Sequence, residues 1–377
     1  MNILVKTLFG LEEILAEELR ELGAKNIRKT RRAVSCEGDI EFLYAANLHL
    51  RTALKILVPL YQFDASNEDE LYNKVSQFDW SKYIDLSQTF AIDNTVRSSI
   101  FQHSKYVALK AKDAIADQFK NKFGKRPNVD IHNPDIQLDI YCSENHFTIS
   151  IDSSGETLNR RKYRVTGHVA PLNEVLAAGM IKLSGWTAEK PLIDPMCGTG
   201  TILIEAAMLG LNIPPQWKRN YFSFMNWENF DRDLWEKIRA DSEKAILEKE
   251  LSIEGGDYDK KVLQKTEETI KELNLERHIK LKHSSMERNK TELKNGFVIM
   301  NPPYGERLDS YDINVFYKGI SDALKNNFQG FEAWVLSSNI QALKHLRLKP
   351  SKKIVLYNGS LECRFQKYEL YAGSKRN

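Results

Sequence analysis

The chain has 377 residues, 42% of them hydrophobic and 28% charged, more than one hydrophobic core usually organises, so two or three domains are expected. A formal net charge of +3 permits an acidic partner without requiring one, and the position of the cation clusters matters more than their sum. No stretch approaches 18 uncharged apolar residues, and the start Met1–Lys6 lacks the features of a signal peptide, which disfavours a membrane span and a secretory leader. Cys36, Cys142, Cys197 and Cys363 form no CxxC pair, so neither a zinc site nor a disulfide framework is indicated, and a cytoplasmic protein with reduced thiols is expected.

From Thr7 to Gly23, Leu11, Ile14, Leu15, Leu19 and Leu22 keep helical spacing, with Gly23 as the stop. A short strand follows at about Arg32–Glu37, then a helix from about Ile40 to Leu54. Pro59 and the polar stretch Asp64–Glu70 mark a boundary. Beyond it Phe90–Val96 reads as a strand, and Ser104–Phe123 as a helix with Val107, Ala111, Ile115 and Phe119 on one face. Ile136, Leu138, Ile140 and Cys142 alternate with polar residues, as do Phe147, Ile149 and Ile151, and Ser143-Glu144-Asn145 between them suits a hairpin turn. The first half is therefore a set of small mixed α/β modules.

Cations group at Arg28, Lys29, Arg31 and Arg32, at Lys120, Lys122, Lys125 and Arg126, and at Arg160, Arg161, Lys162 and Arg164. Such clusters are natural anchors for nucleic-acid phosphates, and any one of them is about as often a solvated face. The tract Arg160–Arg164 is the strongest of the three because it adjoins the half of the chain that carries the chemistry.

In that half, Pro171 opens a helix bearing Leu172, Val175, Leu176, Met180 and Leu183, stopped by Gly185. Pro191-Leu192-Ile193-Asp194-Pro195-Met196-Cys197-Gly198-Thr199-Gly200-Thr201 then runs into Ile202–Leu209: a strand, a glycine-rich turn and a helix. Glycines at 198 and 200 allow close approach of a ligand to the backbone at the sheet's C-terminal edge. A dinucleotide loop would need glycine where Leu203 stands, and a P-loop would need a Gly-Lys-Ser/Thr ending, so phosphate binding is disfavoured. After the next strand, Ser252–Asp259 supplies an acidic residue for a ribose, Asp257 first and Asp259 second. These lie about 60 residues from Asp194 rather than the usual ~20. The intervening Pro214–Glu250 is an insertion rich in Trp and Phe, expected as a packed cap on this fold or, alternatively, as a wall of the substrate pocket.

Asn301-Pro302-Pro303-Tyr304 follows the apolar strand Phe297-Val298-Ile299-Met300. Two prolines fix φ and remove N–H donors, so the loop offers acceptors. An Asn oxygen and a proline carbonyl can accept both hydrogens of an exocyclic amine and aim its lone pair at an electrophile, while Tyr304 stacks on the base.

Together, Asp-Pro-Met-Cys-Gly-Thr-Gly-Thr and Asn-Pro-Pro-Tyr-Gly-Glu-Arg-Leu resemble the signature of THUMP-domain RNA methyltransferases dependent on S-adenosylmethionine, and most of all the bacterial enzymes that make N2-methylguanosine in 23S ribosomal RNA. Thr7-Leu8-Phe9-Gly10-Leu11-Glu12 is similar to the family's start, Asp152–Leu158 and Ala170–Glu174 to its entry into the catalytic domain, and Asn358–Cys363 to its closing hairpin. The resemblance implies an α/β protein: a ferredoxin-like segment over 1–60, a THUMP RNA-binding module over 61–155, and a Rossmann-like seven-stranded methyltransferase sheet over 156–377 with an insertion at about 211–250. It places Asp194, Pro195, Cys197, Gly198, Gly200 and Thr201 at the methionine end of the cofactor, Asp257 at its ribose, Tyr258 and Ser284 beside it, and Asn301, Pro302, Pro303 and Tyr304 at the target amine. Arg160, Arg161, Arg164, Lys125 and Arg126 are the expected RNA contacts. Leu158-Asn159-Arg160-Arg161-Lys162-Tyr163-Arg164 departs from the family's Leu-His-Lys-Arg-Gly-Tyr-Arg, and Ser284 stands where many methyltransferases hold the adenine with an acid.

The expected reaction is direct transfer of a methyl group to an exocyclic nitrogen, without a cysteine adduct and without a metal, since the eight histidines show no ligand spacing. The substrate is RNA, 23S or a precursor of the large subunit, and the oligomeric state is left open. The alternatives are an adenine-N6 DNA methyltransferase, a tRNA guanine-N2 methyltransferase, and a non-catalytic RNA-binding assembly factor.

Overall fold

The computed structural model describes residues 1–163, 172–303 and 312–371. In chain order the first half contains β1 (Asn2–Thr7), α1 (Glu12–Glu21), β2 (Lys25–Thr30), β3 (Ala33–Glu37), α2 (Ile40–His49), β4 (Ala53–Asp64), α3 (Glu68–Gln77), β5 (Thr89–Arg97), α4 (Ser104–Phe123), β6 (Asn128–Val129), β7 (Ile136–Ser143) and β8 (His146–Asp152). These strands form one eight-stranded sheet in the order β2-β3-β1-β4-β8-β7-β5-β6. The turn between β7 and β8 is the expected hairpin, with Glu144 at φ +52°. The second helix is shorter than its apolar pattern suggested: α2 ends at His49, and Ala53 and Leu54 already belong to β4.

β4 decides the shape of this half. Its first part pairs with β1 (Leu57 opposite Leu4) and its second with β8 (Asp64 opposite His146). The boundary expected at Pro59 therefore falls inside a strand. Pro59 lacks the N–H a regular ladder needs, and the register against β8 shifts between Pro59 and Tyr61, a bulge that lets the proline stay in place. Helices α1 and α2 pack with Leu15, Leu19, Leu43 and Ile56 over one end of the sheet, and Leu71, Val75, Ala111 and Ile115 of α3 and α4 pack over the other.

The second half contains α5 (Glu174–Ser184), β9 (Leu192–Asp194), α6 (Thr201–Gly210), α7 (Arg232–Lys244), β10 (Ile253–Asp257), α8 (Lys260–Glu272), β11 (Ile279–His283), β12 (Phe297–Met300), α9 (Ile313–Asn327), β13 (Glu332–Ser337), α10 (Ile340–Lys344), β14 (Lys352–Asn358) and β15 (Leu361–Glu369). The strands form a seven-stranded sheet in the order β11-β10-β9-β12-β13-β15-β14, parallel except for β15, which is antiparallel to both neighbours. Consecutive residues face opposite sides, so Leu192 packs with α5, α6 and α8 while Ile193 packs with α9. The cap of α5 is Asn173, whose side chain accepts from the N–H groups of Val175 and Leu176; Pro171 lies outside the described residues.

Only the two ends of the insertion cap the methyltransferase sheet, through Leu211, Ile213, Trp217 and Ile246; most of its aromatic residues pack elsewhere. Phe222, Phe224, Trp235 and Ile238 pack with Tyr44, Leu43 and Leu158, sealing the second half against α2. Tyr44 and Phe224 stack at 4.5 Å, and the Tyr44 hydroxyl accepts from Asp231 N–H at 3.0 Å. Arg219 donates to the carbonyls of Ser154 (2.6 Å) and Glu156 (2.8 Å), and Gln88 to that of Asn226 (2.8 Å). Tryptophan and phenylalanine in a loop carry no label for which core they will join, so composition alone favoured the nearer one.

Candidate active site

The parallel strands β9, β10 and β12 end side by side, and the candidate residues follow their C-terminal ends. Gly255 of β10 sits opposite Asp194 of β9, so the insertion leaves the two acidic strand ends adjacent despite their distance in sequence. Asp257 closes β10. Its Oδ2 accepts from Gly198 N–H at 2.9 Å and its Oδ1 from Asp259 N–H at 2.9 Å. Asp259 is committed as the N-cap of α8, accepting from Lys261 and Val262, which leaves Asp257 as the acid facing the glycine-rich turn.

That turn is built by left-handed backbone: Gly198 at φ +50° and Gly200 at φ +71°, conformations that side chains disfavour. A Cβ at 198 would meet no heavy atom within 4 Å, an open space beside the loop, whereas one at 200 would lie 2.6 Å from Thr266 Cγ2. Thr266 is a support that nothing in its local spacing marks. It also donates its hydroxyl to the Gly198 carbonyl at 2.9 Å. Gly200 then starts α6, with Thr201 buried at its first turn.

Asp194 is buried and accepts from Met196 N–H at 3.1 Å. Desolvation first, opposed by that N–H and reinforced by the Asp257 charge, pushes its carboxyl up to about 8. Burial likewise raises the Cys197 thiol well above its ordinary range. Its sulfur would lie 3.3 Å from a Cβ at Gly255, so it behaves as packing and not as a nucleophile. Tyr258, next to Asp257, leaves 72% of its surface exposed. Ser284 N–H donates to the Asp257 carbonyl at 3.0 Å, and its hydroxyl to that of Ser285 at 2.9 Å.

Asn301 follows β12, and its Oδ1 is buried without a hydrogen-bond partner among the described residues. Asn289 is a second such group, missed from the sequence because nothing in its spacing marks it. It is buried, its Nδ2 has no partner among the described residues, and a Cβ at Gly256 would strike it at 1.9 Å. Buried polar atoms left unpaired are costly and rare, and these two lie at the ends of neighbouring crossovers. An open glycine loop, an aromatic face and two unsatisfied amides fit an adenosyl-type cofactor with polar groups at both ends.

The expected RNA contacts divide. Lys125 is exposed, Arg126 is exposed and paired with Asp117 at 2.5 Å, and Arg160 is exposed and paired with Glu156 at 3.0 Å. Arg161 is not an RNA contact. It is 1% exposed and donates to Glu205 of α6 (3.3 Å) and to the carbonyls of Leu158 (2.7 Å) and Arg51 (2.5 Å). Tyr163 donates to the same Glu205 oxygen at 2.9 Å. A fully buried carboxylate about one turn from the start of α6 called for a cation, and sequence distance hid it. Tyr304 and Arg164 lie outside the described residues. Among the described residues no group of three or more His, Cys, Asp or Glu could hold a metal, and no helix is long and apolar enough to cross a membrane.

Strand order, glycine turn and Asn-Pro-Pro loop define a Rossmann-like methyltransferase. Residues 161–367 match the model of the RMKL-like methyltransferase domain, residues 65–152 that of the THUMP domain, and residues 2–57 that of the RlmL ferredoxin-like domain. The chain belongs to the RMKL-like methyltransferase family. It is 37% identical to a protein of Synechocystis sp. named as a candidate RNA methyltransferase, over 96% of this chain and 95% of that one. It is 34% identical to the ribosomal RNA large subunit methyltransferase K/L of Syntrophotalea carbinolica, over 96% of this chain and 52% of that one; the chain spans about half the length of such K/L relatives. Among solved structures, SMU.472, a candidate methyltransferase crystallised with SAH, superposes with a TM-score of 0.88 at 29% identity, covering 99% of both chains.

Proposed function

We propose that the chain transfers a methyl group from S-adenosylmethionine to the exocyclic N2 of a guanine in 23S ribosomal RNA or a precursor of the large subunit, in the cytoplasm. The observation that carries this reading is the buried Asn301 Oδ1 at the end of β12, unpartnered among the described residues and followed by two prolines that contribute no N–H donor. An acceptor so placed calls for a donor from outside, and an exocyclic amine brings two. The name of the Syntrophotalea relative and the THUMP match support RNA as the acceptor, and the SAH in the similar structure supports the cofactor.

The cofactor supplies, when bound, a methyl group on a sulfonium sulfur. Asn301 Oδ1 and the Pro302 carbonyl accept the two amine hydrogens and hold the nitrogen lone pair toward that carbon. As positive charge develops on the nitrogen during transfer, both contacts would strengthen, and the extra proton would leave to water. Pro303 stiffens the loop, and Tyr304 stacks on the base. Gly198, Gly200 and Asp194 receive the methionine end, Asp257 the ribose, and Tyr258 with Ser284 the adenine side. Residues 1–60 and 61–155 serve as the RNA-holding modules, with Arg160, Arg164, Lys125 and Arg126 as contacts.

The test is transfer of labelled methyl to unmodified 23S RNA, tRNA and genomic DNA, with digestion to nucleosides. N2-methylguanosine in 23S RNA alone is the expected result. N2-methylguanosine in tRNA alone, N6-methyladenine in DNA, or no label in RNA or in large-subunit precursor particles would overturn it.

A further inference from the structure

Six of the twelve cations in the clusters marked by the sequence make ion pairs within the fold. Lys29 pairs with Glu13, Lys122 with Asp79, Arg126 with Asp117, Arg160 and Lys162 with Glu156, and Arg161 with Glu205. A different run keeps its charge. Between residues 344 and 353 stand Lys344, Arg347, Lys349, Lys352 and Lys353, five cations in ten residues with no carboxylate among them. All five are exposed, and none makes an ion pair among the described residues. Lys352 Nζ rests 5.9 Å from the centroid of the buried Trp334 ring, a cation–π distance that fixes its place on the sheet.

The topology gives this run a direction. β12 and β13 are parallel, β15 is antiparallel to β13, and β14 is antiparallel to β15. β14 therefore points the same way as β12, and its Asn358 end lies at the sheet edge where Asn301 follows β12. There the Tyr357 ring packs edge-on against Phe9 at 5.5 Å. The five cations thus begin at the end of α10 and run to the first two residues of the edge strand β14, at the end opposite Asn358 and so on the outer side of the sheet away from Asn301. Lysines on an edge strand also discourage edge-to-edge pairing, but that role does not account for Lys344, Arg347 and Lys349, which lie off the strand.

We infer that Lys344, Arg347, Lys349, Lys352 and Lys353 form a track for the RNA phosphodiester backbone, holding RNA that flanks the target nucleotide outside the catalytic cleft. This rests on RNA being the substrate. Each phosphate neutralised releases counterions and adds about 0.7 to 0.9 to the slope of log affinity against log salt. The test replaces all five by serine in the full chain and measures filter binding of a long 23S-derived RNA over a series of KCl concentrations. SAH binding reports that the variant is folded, and the pair Lys237→Ser and Arg239→Ser on α7 is the control. The expected result is a salt slope lower by about 4, a KM for long RNA raised about tenfold or more, and kcat at saturating RNA unchanged, with the α7 control like the parent. A slope within one of the parent's, in a variant that binds SAH normally, overturns the track. Failure of the parent to methylate RNA would overturn the function proposed above, while the comparison of slopes would still decide the track.

Discussion

Asn301 holds an acceptor with no donor among the described residues, and its removal separates binding from chemistry. Asn301→Ala is expected to lower kcat by about 10²–10³, the range for loss of one preorganised polar contact at a reacting group, with SAH affinity unchanged by calorimetry. Asp194 offers a second residue-scale test. Its carboxyl stands at about 8 in the fold and near its ordinary value of 3.8 when unfolded, so its neutral form is the one the fold tolerates. Its contribution is fully present below about pH 4 and is lost as pH rises toward 8. The melting temperature of Asp194→Asn minus that of the parent should therefore grow by several degrees between pH 4 and pH 8; a flat difference would show that the carboxyl ionises freely. Both residues could be read from the sequence because each sits in a tight motif after an apolar strand. Thr266 and Asn289 could not, because their partners Gly198 and Gly256 come from other elements and only the folded sheet brings them together.

Elements meet here through buried charge. Glu205 on α6 is enclosed by Arg161 and Tyr163 from the segment leaving the first sheet, and Arg51 donates to the carbonyls of Ile213 (2.6 Å) and Met208 (3.2 Å). Removing one member of such a set leaves a charge in the interior. Glu205→Ala is expected to destabilise the protein by about 3–5 kcal/mol, read by chemical denaturation, although no part of the candidate site is touched. Trp235→Ala, in the insertion, should cost a similar ~3–5 kcal/mol by opening a cavity against Tyr44. The helices and hairpins themselves were legible: the period of Val107, Ala111, Ile115 and Phe119 marks α4 from end to end, and alternation marks β7 and β8 with their turn. What a sequence does not encode locally is the partner of an apolar face, and so most of the insertion's aromatics and Arg161 were assigned to the wrong neighbours.

At the scale of the whole molecule, the two halves share side chains from Glu18 and Arg51 through Arg161 to Arg219 and Trp235, so unfolding of the full chain should be a single transition by tryptophan fluorescence and by far-UV circular dichroism alike. Two separated transitions would mean that the interface contributes less than its burial suggests. The division into modules was visible from composition and motif, but not the continuity of the first sheet, because a proline and a polar stretch look like a boundary whether or not a strand runs through them. That continuity has a mechanical meaning. β4 spans roughly 40 Å at about 3.3 Å per residue, and it is bonded on one flank to β1 and, further along, on the other flank to β8. A load drawing the N-terminal module away from its neighbour would run along the strand and stress two ladders in shear, where the hydrogen bonds of each must yield together instead of unzipping in turn. The two modules would respond to a tugging RNA as a single beam, delivering the pull to the catalytic half without bending on the way.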